Sequence, residues 1–219
     1  MITNMPQIIN NFTFGKLSLI RFIMFLLFVS LSLDNTNIAQ PLNWQKILNN
    51  NYGSLYQGKQ TQDGGFVAVG SDYISNNPKM FLTRIDQNGS IKWSRTFGLG
   101  NSEGSWIEET KDNGFILCGT SDSAGWHKFF LVKTDSIGEL LWYRTFFSSD
   151  MDRANCVKET RDGGYIIAGY TFPSNVGVYI IKTDSIGNIL TQKTFYTNSE
   201  SREIREVIST DYGYLAIGD

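Results

Sequence analysis

The sequence contains little cysteine, histidine or charge. Cys118 and Cys156 are its two cysteines and His127 is its one histidine, so a disulfide framework, a histidine-based metal site and a catalytic triad are not expected. Charged residues make up 18% of the chain and the formal net charge is −2, without the basic stripe that nucleic acids require. We therefore predict no catalytic residue, no cofactor, no metal and no nucleic acid partner.

A long hydrophobic run is also missing. The uncharged and mainly apolar run of residues 22–33 is shorter than the ~20 residues that span a bilayer. Lys16 and Arg21 precede this run, and Ala39 follows it at a suitable cleavage position, which is typical of a signal peptide. We interpret residues 1–39 as that signal and expect a secreted or cell-surface protein without membrane insertion after cleavage. A buried strand or a membrane helix is the alternative interpretation.

Glycine and aromatic residues are abundant, and they occur in a repeat. The chain has 21 glycines and 14% aromatic residues, a composition that favours short strands joined by tight turns. Residues 61–66, 110–115 and 160–165 read TQDGGF, TKDNGF and TRDGGY, and a shortened copy, TDYGY, occupies residues 210–214. The aromatic residue that ends each copy recurs after 49, 50 and 49 residues. Such a period is typical of arrays and propellers.

A second signature keeps the same period and marks the strands. Residues 85–89, 134–138 and 183–187 read IDQNG, TDSIG and TDSIG, and each is followed by an alternating stretch such as IKWSRTF at residues 91–97. Alternation with period two predicts strands. Each unit therefore divides into four strands, with tight turns containing Asp and Gly after the first and third strands and a longer, variable loop after the second. This pattern predicts an all-β, propeller-like array of four-stranded antiparallel blades, expected to be an incomplete propeller.

The repeat also sets the boundaries of the array. Trp44 lies 49 residues before Trp93, so we expect the fourth strand of a leading blade near residues 44–48. Three blades follow at about 53–98, 103–147 and 153–196, and a partial blade covers residues 203–219. We expect an incomplete propeller, truncated at Asp219, whose open edges make the chain associate. A compact four-bladed ring closed by the strand of Trp44 is the alternative.

Two stretches carry a resemblance to a known family. Residues 162–171 (DGGYIIAGYT) and 179–187 (YIIKTDSIG) resemble the SBBP-type β-propeller repeats of exported proteins of Bacteroidota. The resemblance covers about residues 44–219, implies the propeller fold and implies no common activity. Many members carry a C-terminal sorting domain for type IX secretion, which is not visible here. A fainter similarity to quinoprotein dehydrogenase blades, at Asp135, Gly138 and Trp142, indicates shared blade packing in which an aromatic residue lies between sheets.

The repeated polar and apolar residues are expected to be structural. Two rows of aspartates cap turns rather than bind calcium; they are Asp63, Asp112 and Asp162, and Asp86, Asp135 and Asp184. A basic column is expected to form charge pairs on the solvent face; it consists of Arg84, Lys133 and Lys182. Core positions are expected at Trp93, Trp142, Phe97, Phe146 and Phe195.

Cys118, like the repeated residues above, is expected to have a structural role. Export would permit a disulfide between Cys118 and Cys156. However, Cys118 shares its repeat position with Val69, Ala168 and Ile217, so we expect a small core residue instead.

Residues in the loops between the second and third strands remain as candidates for contact with a ligand or partner. These are Tyr73, Trp126, His127 and Phe172. Exposed aromatic residues on one rim can stack on sugar rings or anchor a protein, although they can also simply cover blade ends. The sequence does not identify a ligand. We expect a non-catalytic binding or surface-display scaffold whose partner is an extracellular glycan or protein. The alternative is the N-terminal part of a propeller enzyme, a hydrolase or quinone-dependent oxidoreductase, whose catalytic residues lie in further blades.

Overall fold

The fold is all-β, as predicted. The computed structural model describes residues 53–73, 77–98, 100–123, 125–147, 151–172, 177–196, 204–210 and 213–218. Within these ranges the chain forms fourteen strands and no helix, so no helix of sufficient length and hydrophobicity to cross a membrane is present there. The predicted signal peptide, residues 1–39, and the strand expected near residues 44–48 lie outside the described residues.

The strands form three four-stranded units and a final pair, and within each unit the strands adjacent in sequence lie side by side. A single backbone bridge joins the second and third units into one eight-stranded sheet. Unit A contains β1 (Gly53–Gln60), β2 (Phe66–Asp72), β3 (Lys79–Ile85) and β4 (Ile91–Phe97). Unit B contains β5 (Asn101–Glu109), β6 (Phe115–Ser123), β7 (Trp126–Thr134) and β8 (Leu140–Phe146). Unit C contains β9 (Met151–Glu159), β10 (Tyr165–Phe172), β11 (Gly177–Thr183) and β12 (Ile189–Tyr196). The final pair consists of β13 (Ile204–Thr210) and β14 (Gly213–Gly218). All pairing within the units and within the final pair is antiparallel.

Each unit contains two bulges at equivalent positions. The pairing of the first and second strands skips one residue of the first strand, which is Tyr56 in unit A. Equivalent shifts occur in units B and C and in the final pair. The pairing of the third and fourth strands skips Lys92 in unit A, and equivalent shifts recur in the other two units. Because bulges bend a strand and increase its twist, every unit has the same local distortion.

The aspartates cap the turns, as predicted. Asp63 accepts a hydrogen bond from the hydroxyl of Thr61 at 2.6 Å and from the backbone N–H of Gly65 at 3.2 Å. Asp86 accepts a bond from the backbone N–H of Ser90 at 2.8 Å. Equivalent bonds recur in units B and C. The capped turns fix the two tight hairpins of each unit.

The basic column pairs with the first row of aspartates, but its placement on the solvent face was wrong for two members. The ion pairs are Arg84 with Asp63, Lys133 with Asp112 and Lys182 with Asp162. Arg84 and Lys133 are only 5% and 3% exposed. Burial is tolerated because the cations also donate to carbonyl oxygens, as Arg84 does to Phe66 and Ile85 at 2.8 Å each.

The hydrophobic core lies between the units rather than within any one of them. One cluster joins Val69 and Leu82 of unit A to Leu117 and Val132 of unit B. A second cluster joins units B and C, and a third joins unit C to the final pair. The first strand of each unit packs on the preceding unit: β5 contacts β1, β2 and β3, and β9 contacts β5, β6 and β7. Each sheet therefore depends on its neighbour for burial of its apolar faces.

Tryptophan residues of the fourth strands make a second contact between units. Trp93 lies edge to face with Phe115 at 6.0 Å, and a Cβ atom added at Gly138 would lie 2.5 Å from its ring. Trp142 lies against Gly187 of unit C in the same way. An aromatic residue between adjacent sheets is the packing that the sequence predicted at these positions.

One predicted core residue is exposed. Phe97 and Phe146 are buried, with 8% and 5% of their surface exposed, whereas Phe195 is 46% exposed. Phe97 packs in one cluster with Phe130 and Val132 of the third strand of unit B. Within the described residues, no third strand follows β14, so nothing equivalent covers Phe195.

Candidate binding surface at the loop end

The two ends of the sheets differ in chemistry. Because the strands alternate in direction, loops between second and third strands share one end with the connections between units, which we call the loop end. The two hairpin turns of each unit, with both aspartate rows, lie at the opposite end, which we call the turn end. The backbone N–H of Ser102 donates to Pro78 O at 2.8 Å, and His127, which is equivalent to Pro78, forms a backbone bridge with Met151, the residue before the equivalent of Ser102. These matching contacts align the loop ends of the three units.

All four residues predicted to contact a ligand or partner lie at the loop end. Trp126 and His127 begin β7, Phe172 ends β10, and Tyr73 directly follows β2. The backbones of His127 and Phe172 both pair with Met151, so these two residues are brought to the same place. Tyr73 instead contacts Tyr56 and Glu103.

Trp126 forms an exposed cluster with two residues that the sequence did not single out. Its ring, 43% exposed, meets the ring of Phe147 edge to face, with centroids 5.8 Å apart and an interplanar angle of 66°. The ammonium group of Lys128 lies 5.8 Å from the centroid of the Phe147 ring. We call Trp126, Lys128 and Phe147 the aromatic corner. Phe147 directly follows the core residue Phe146, so alternation along the strand was the available signal for its exposure.

Tyr73 is held by hydrogen bonds rather than free for contact. Its hydroxyl donates to Glu103 of unit B at 3.3 Å and lies 3.2 Å from the hydroxyl of Tyr56. Burial, the hydrogen bond with Tyr56 and the charge of Glu103 raise the pKa of Tyr73 above its ordinary value. The phenol therefore stays protonated near neutral pH and links units A and B.

A buried charged group connects the first strands of all three units. Glu108 of β5, with a side chain 7% exposed, pairs with Lys59 of β1 and with Lys158 of β9, the latter at 2.8 Å. The indole N–H of Trp106 donates to the same carboxylate at 3.2 Å. Burial tends to raise the pKa of Glu108, but hydrogen bonds from Lys158 and Lys59 outweigh it and lower the pKa. This triad was not predicted from the sequence, because its members occupy one repeat position with different residue types.

The turn end offers acidic residues but no assembled metal site. Asp63 and Asp86 line an open cavity of about 360 Å³ in unit A, together with Lys92, whose Nζ lies 3.9 Å from Asp63. Hydrogen bonds from Thr61 and Arg84 lower the pKa of Asp63 well below its usual range. Across the described ranges, no group of three or more His, Cys, Asp or Glu side chains is arranged to hold a metal ion.

The cysteines are buried thiols. Cys118 is 0% exposed and Cys156 is 1% exposed, and both are free. Burial raises the pKa of the Cys156 thiol to about 12, so little reactive thiolate forms near neutral pH. The prediction of Cys118 as a core residue is confirmed.

Comparison with models of known protein families finds no match, and no curated protein matches the chain.

Proposed function

We propose that this chain is an exported β-propeller repeat scaffold that acts as a non-catalytic binding module through its loop end. The partner is an extracellular glycan or protein. Residues 1–39 supply the export signal, and the SBBP-type resemblance also favours a secreted or cell-surface protein.

The propeller arrangement is supported by how the units pack. Each unit places its first strand against the preceding unit, and each tryptophan-bearing fourth strand meets a glycine turn of the following unit. Face-to-face contact that repeats with a fixed sequence period is expected of blades around a common axis. On this proposal, the triad of Lys59, Glu108 and Lys158 marks the inner strands of three consecutive blades.

The aromatic corner is the observation that carries the binding proposal. The repeated aspartates at the turn end already cap turns, and those of the first row also form ion pairs within their own unit. Trp126 instead exposes 43% of its surface, and Phe147 exposes 48%. Two aromatic rings at an angle, with the ammonium of Lys128 beside them, offer stacking surface and a hydrogen-bond donor to a pyranose ring. A glycan is therefore favoured over a protein.

Arrays of glycans and of extracellular proteins test this proposal. The wild-type chain should bind a set of glycans, and Trp126→Ala should lose that binding because the stacking surface is removed. Leu141→Ala is the control, since Leu141 is 55% exposed but lies at the turn end of β8. Equal loss in both variants would contradict binding at the loop end. A hydrolase or dehydrogenase activity that copurifies with the chain and is lost on substitution of one residue would overturn the non-catalytic assignment.

A further inference from the structure

The last strand of the described chain has an unpaired edge. The second strands of the three units, β2, β6 and β10, each pair with a first and a third strand. Among the described strands, β14 pairs with β13 alone. Its other edge therefore presents backbone N–H and C=O groups to which a further strand can add.

A groove lies beside this edge. It has a volume of about 300 Å³ and is bordered by unit C and the final pair. Its apolar lining consists of Ile166, Ile180, Phe195, Val207, Tyr214 and Ala216. Several of these residues belong to the cluster between unit C and the final pair, so the groove continues an existing interface.

The two earlier junctions show which side chains fill the equivalent space. Between units A and B, Phe130 and Val132 of β7 pack with Leu82 and Phe97. Between units B and C, the equivalent residues of β11 pack with the corresponding face of unit B; they are Tyr179 and Ile181. Each junction therefore takes an aromatic residue and, two positions later, an aliphatic residue from a third strand.

A lysine beside the groove is also suited to contact a third strand and the turn that follows it. At the first junction, Arg95 pairs at 2.7 Å with Glu139, which follows the third strand of unit B by one turn. Lys193 is the residue of unit C equivalent to Arg95, and its Nζ lies 4.7 Å from the centroid of the Phe195 ring. An acidic residue one turn after an added strand would reach this cation, as Glu139 reaches Arg95.

We propose that the edge of β14 and this groove form an acceptor site for one extended strand of the third-strand type of this repeat. The strand pairs with β14 through its backbone. Its aromatic and aliphatic side chains enter the groove against Ile180 and Phe195, and the acidic residue after its turn pairs with Lys193. This surface is distinct from the aromatic corner, which lies between β7 and the connection that follows β8.

A peptide taken from this chain tests the acceptor site. The probe is a fluorescent peptide of residues 128–139, KFFLVKTDSIGE, which carries Phe130, Val132 and Glu139. Fluorescence anisotropy with the whole chain should show saturable binding. The same peptide with Phe130→Asp and Val132→Asp should bind about tenfold or more weakly, because two apolar contacts are lost. Equal binding of both peptides would overturn the proposal.

Two variants of the chain locate the site. Phe195→Ser should weaken binding of the wild-type peptide about tenfold, and its 46% exposure allows the variant to fold. Leu215→Ser is the matched control, because Leu215 is 51% exposed on the opposite face of β14 and should leave affinity unchanged. Peptides N-methylated at alternate backbone positions should differ in affinity, since only one set of N–H groups faces β14. Identical affinities for both methylated peptides, or for both variants, would refute strand addition at this site.

Discussion

Gly138 of unit B packs against Trp93 of unit A, so substituting it tests the contact between the two units. Its φ of 80° lies in the left-handed region, and a Cβ atom there would lie 2.5 Å from the ring of Trp93. Gly163 has the same φ of 80°, but a Cβ atom there would meet nothing within 4 Å. Alanine at either position should cost about 1–2 kcal/mol of backbone strain. Only Gly138→Ala should add about 1–3 kcal/mol for displacing a packed ring.

Urea unfolding of both variants, followed by circular dichroism, measures the difference. Gly138→Ala should be less stable than Gly163→Ala by about 1–3 kcal/mol, which corresponds to about 2–4 °C of melting temperature for each kcal/mol. Combining Gly138→Ala with Trp93→Ala should remove the overlap, so the two changes together should cost less than their sum. Equal stability of the two glycine variants, or strict additivity in the double variant, would refute the contact between units.

Two further predictions concern the ion pairs. Glu108→Gln should destabilise the chain by about 1–3 kcal/mol in urea, because it leaves two partly buried lysines without their shared carboxylate; Glu139→Gln, which breaks an exposed pair with Arg95, should cost about 1 kcal/mol or less. Burial tends to raise the pKa of Asp112, but hydrogen bonds from Lys133 and Thr110 outweigh it and lower the pKa. The hydrogen bond from Lys182 lowers the pKa of Asp162 from 3.8 to about 2. The unfolded chain therefore binds more protons in this range, and the stability that these pairs contribute above pH ~4 should be lost as the pH falls toward ~2. Urea midpoints measured between pH 6 and pH 2 should fall, and Asp112→Asn should flatten that fall; an unchanged slope in this variant would contradict the assignment.

The strands and turns could be predicted because their signals are local. Alternation at residues 91–97 places β4 at its observed bounds, and the Asp-Gly turns depend on hydrogen bonds within a few residues of Asp63 and Asp86. The sequence also indicated that Trp93 lies between sheets, since its repeat position is aromatic in two units.

Features that depend on contacts across a sheet or between units were not predictable in the same way. The burial of Arg84 follows from its reach across the sheet to Asp63, and the pairing of Glu108 follows from contact between three different units. Phe195 is exposed because, among the described strands, no third strand follows β14 to cover it, although its own strand has the same pattern as those of Phe97 and Phe146.

The candidate site was predictable in position but not in composition. The loop end followed from the alternation of strands, but the sequence placed Trp126, His127 and Phe172 in loops, whereas Trp126 and His127 begin β7 and Phe172 ends β10. The partner of Trp126 is Phe147, from the connection after β8, and only folding brings these two segments together. Tyr73 looked equally available in the sequence, but its hydroxyl is engaged by Glu103 of the next unit.

Hydrogen–deuterium exchange with the glycan that binds most strongly on the array tests the central claim directly. Glycan bound at the aromatic corner should slow exchange of backbone amides at residues 121–130 and 144–151, which contain Trp126, Lys128 and Phe147. Exchange at the turn end, residues 61–65 and 86–90, should remain unchanged. Protection confined to the turn end, with no change around Trp126, would contradict binding through the loop end.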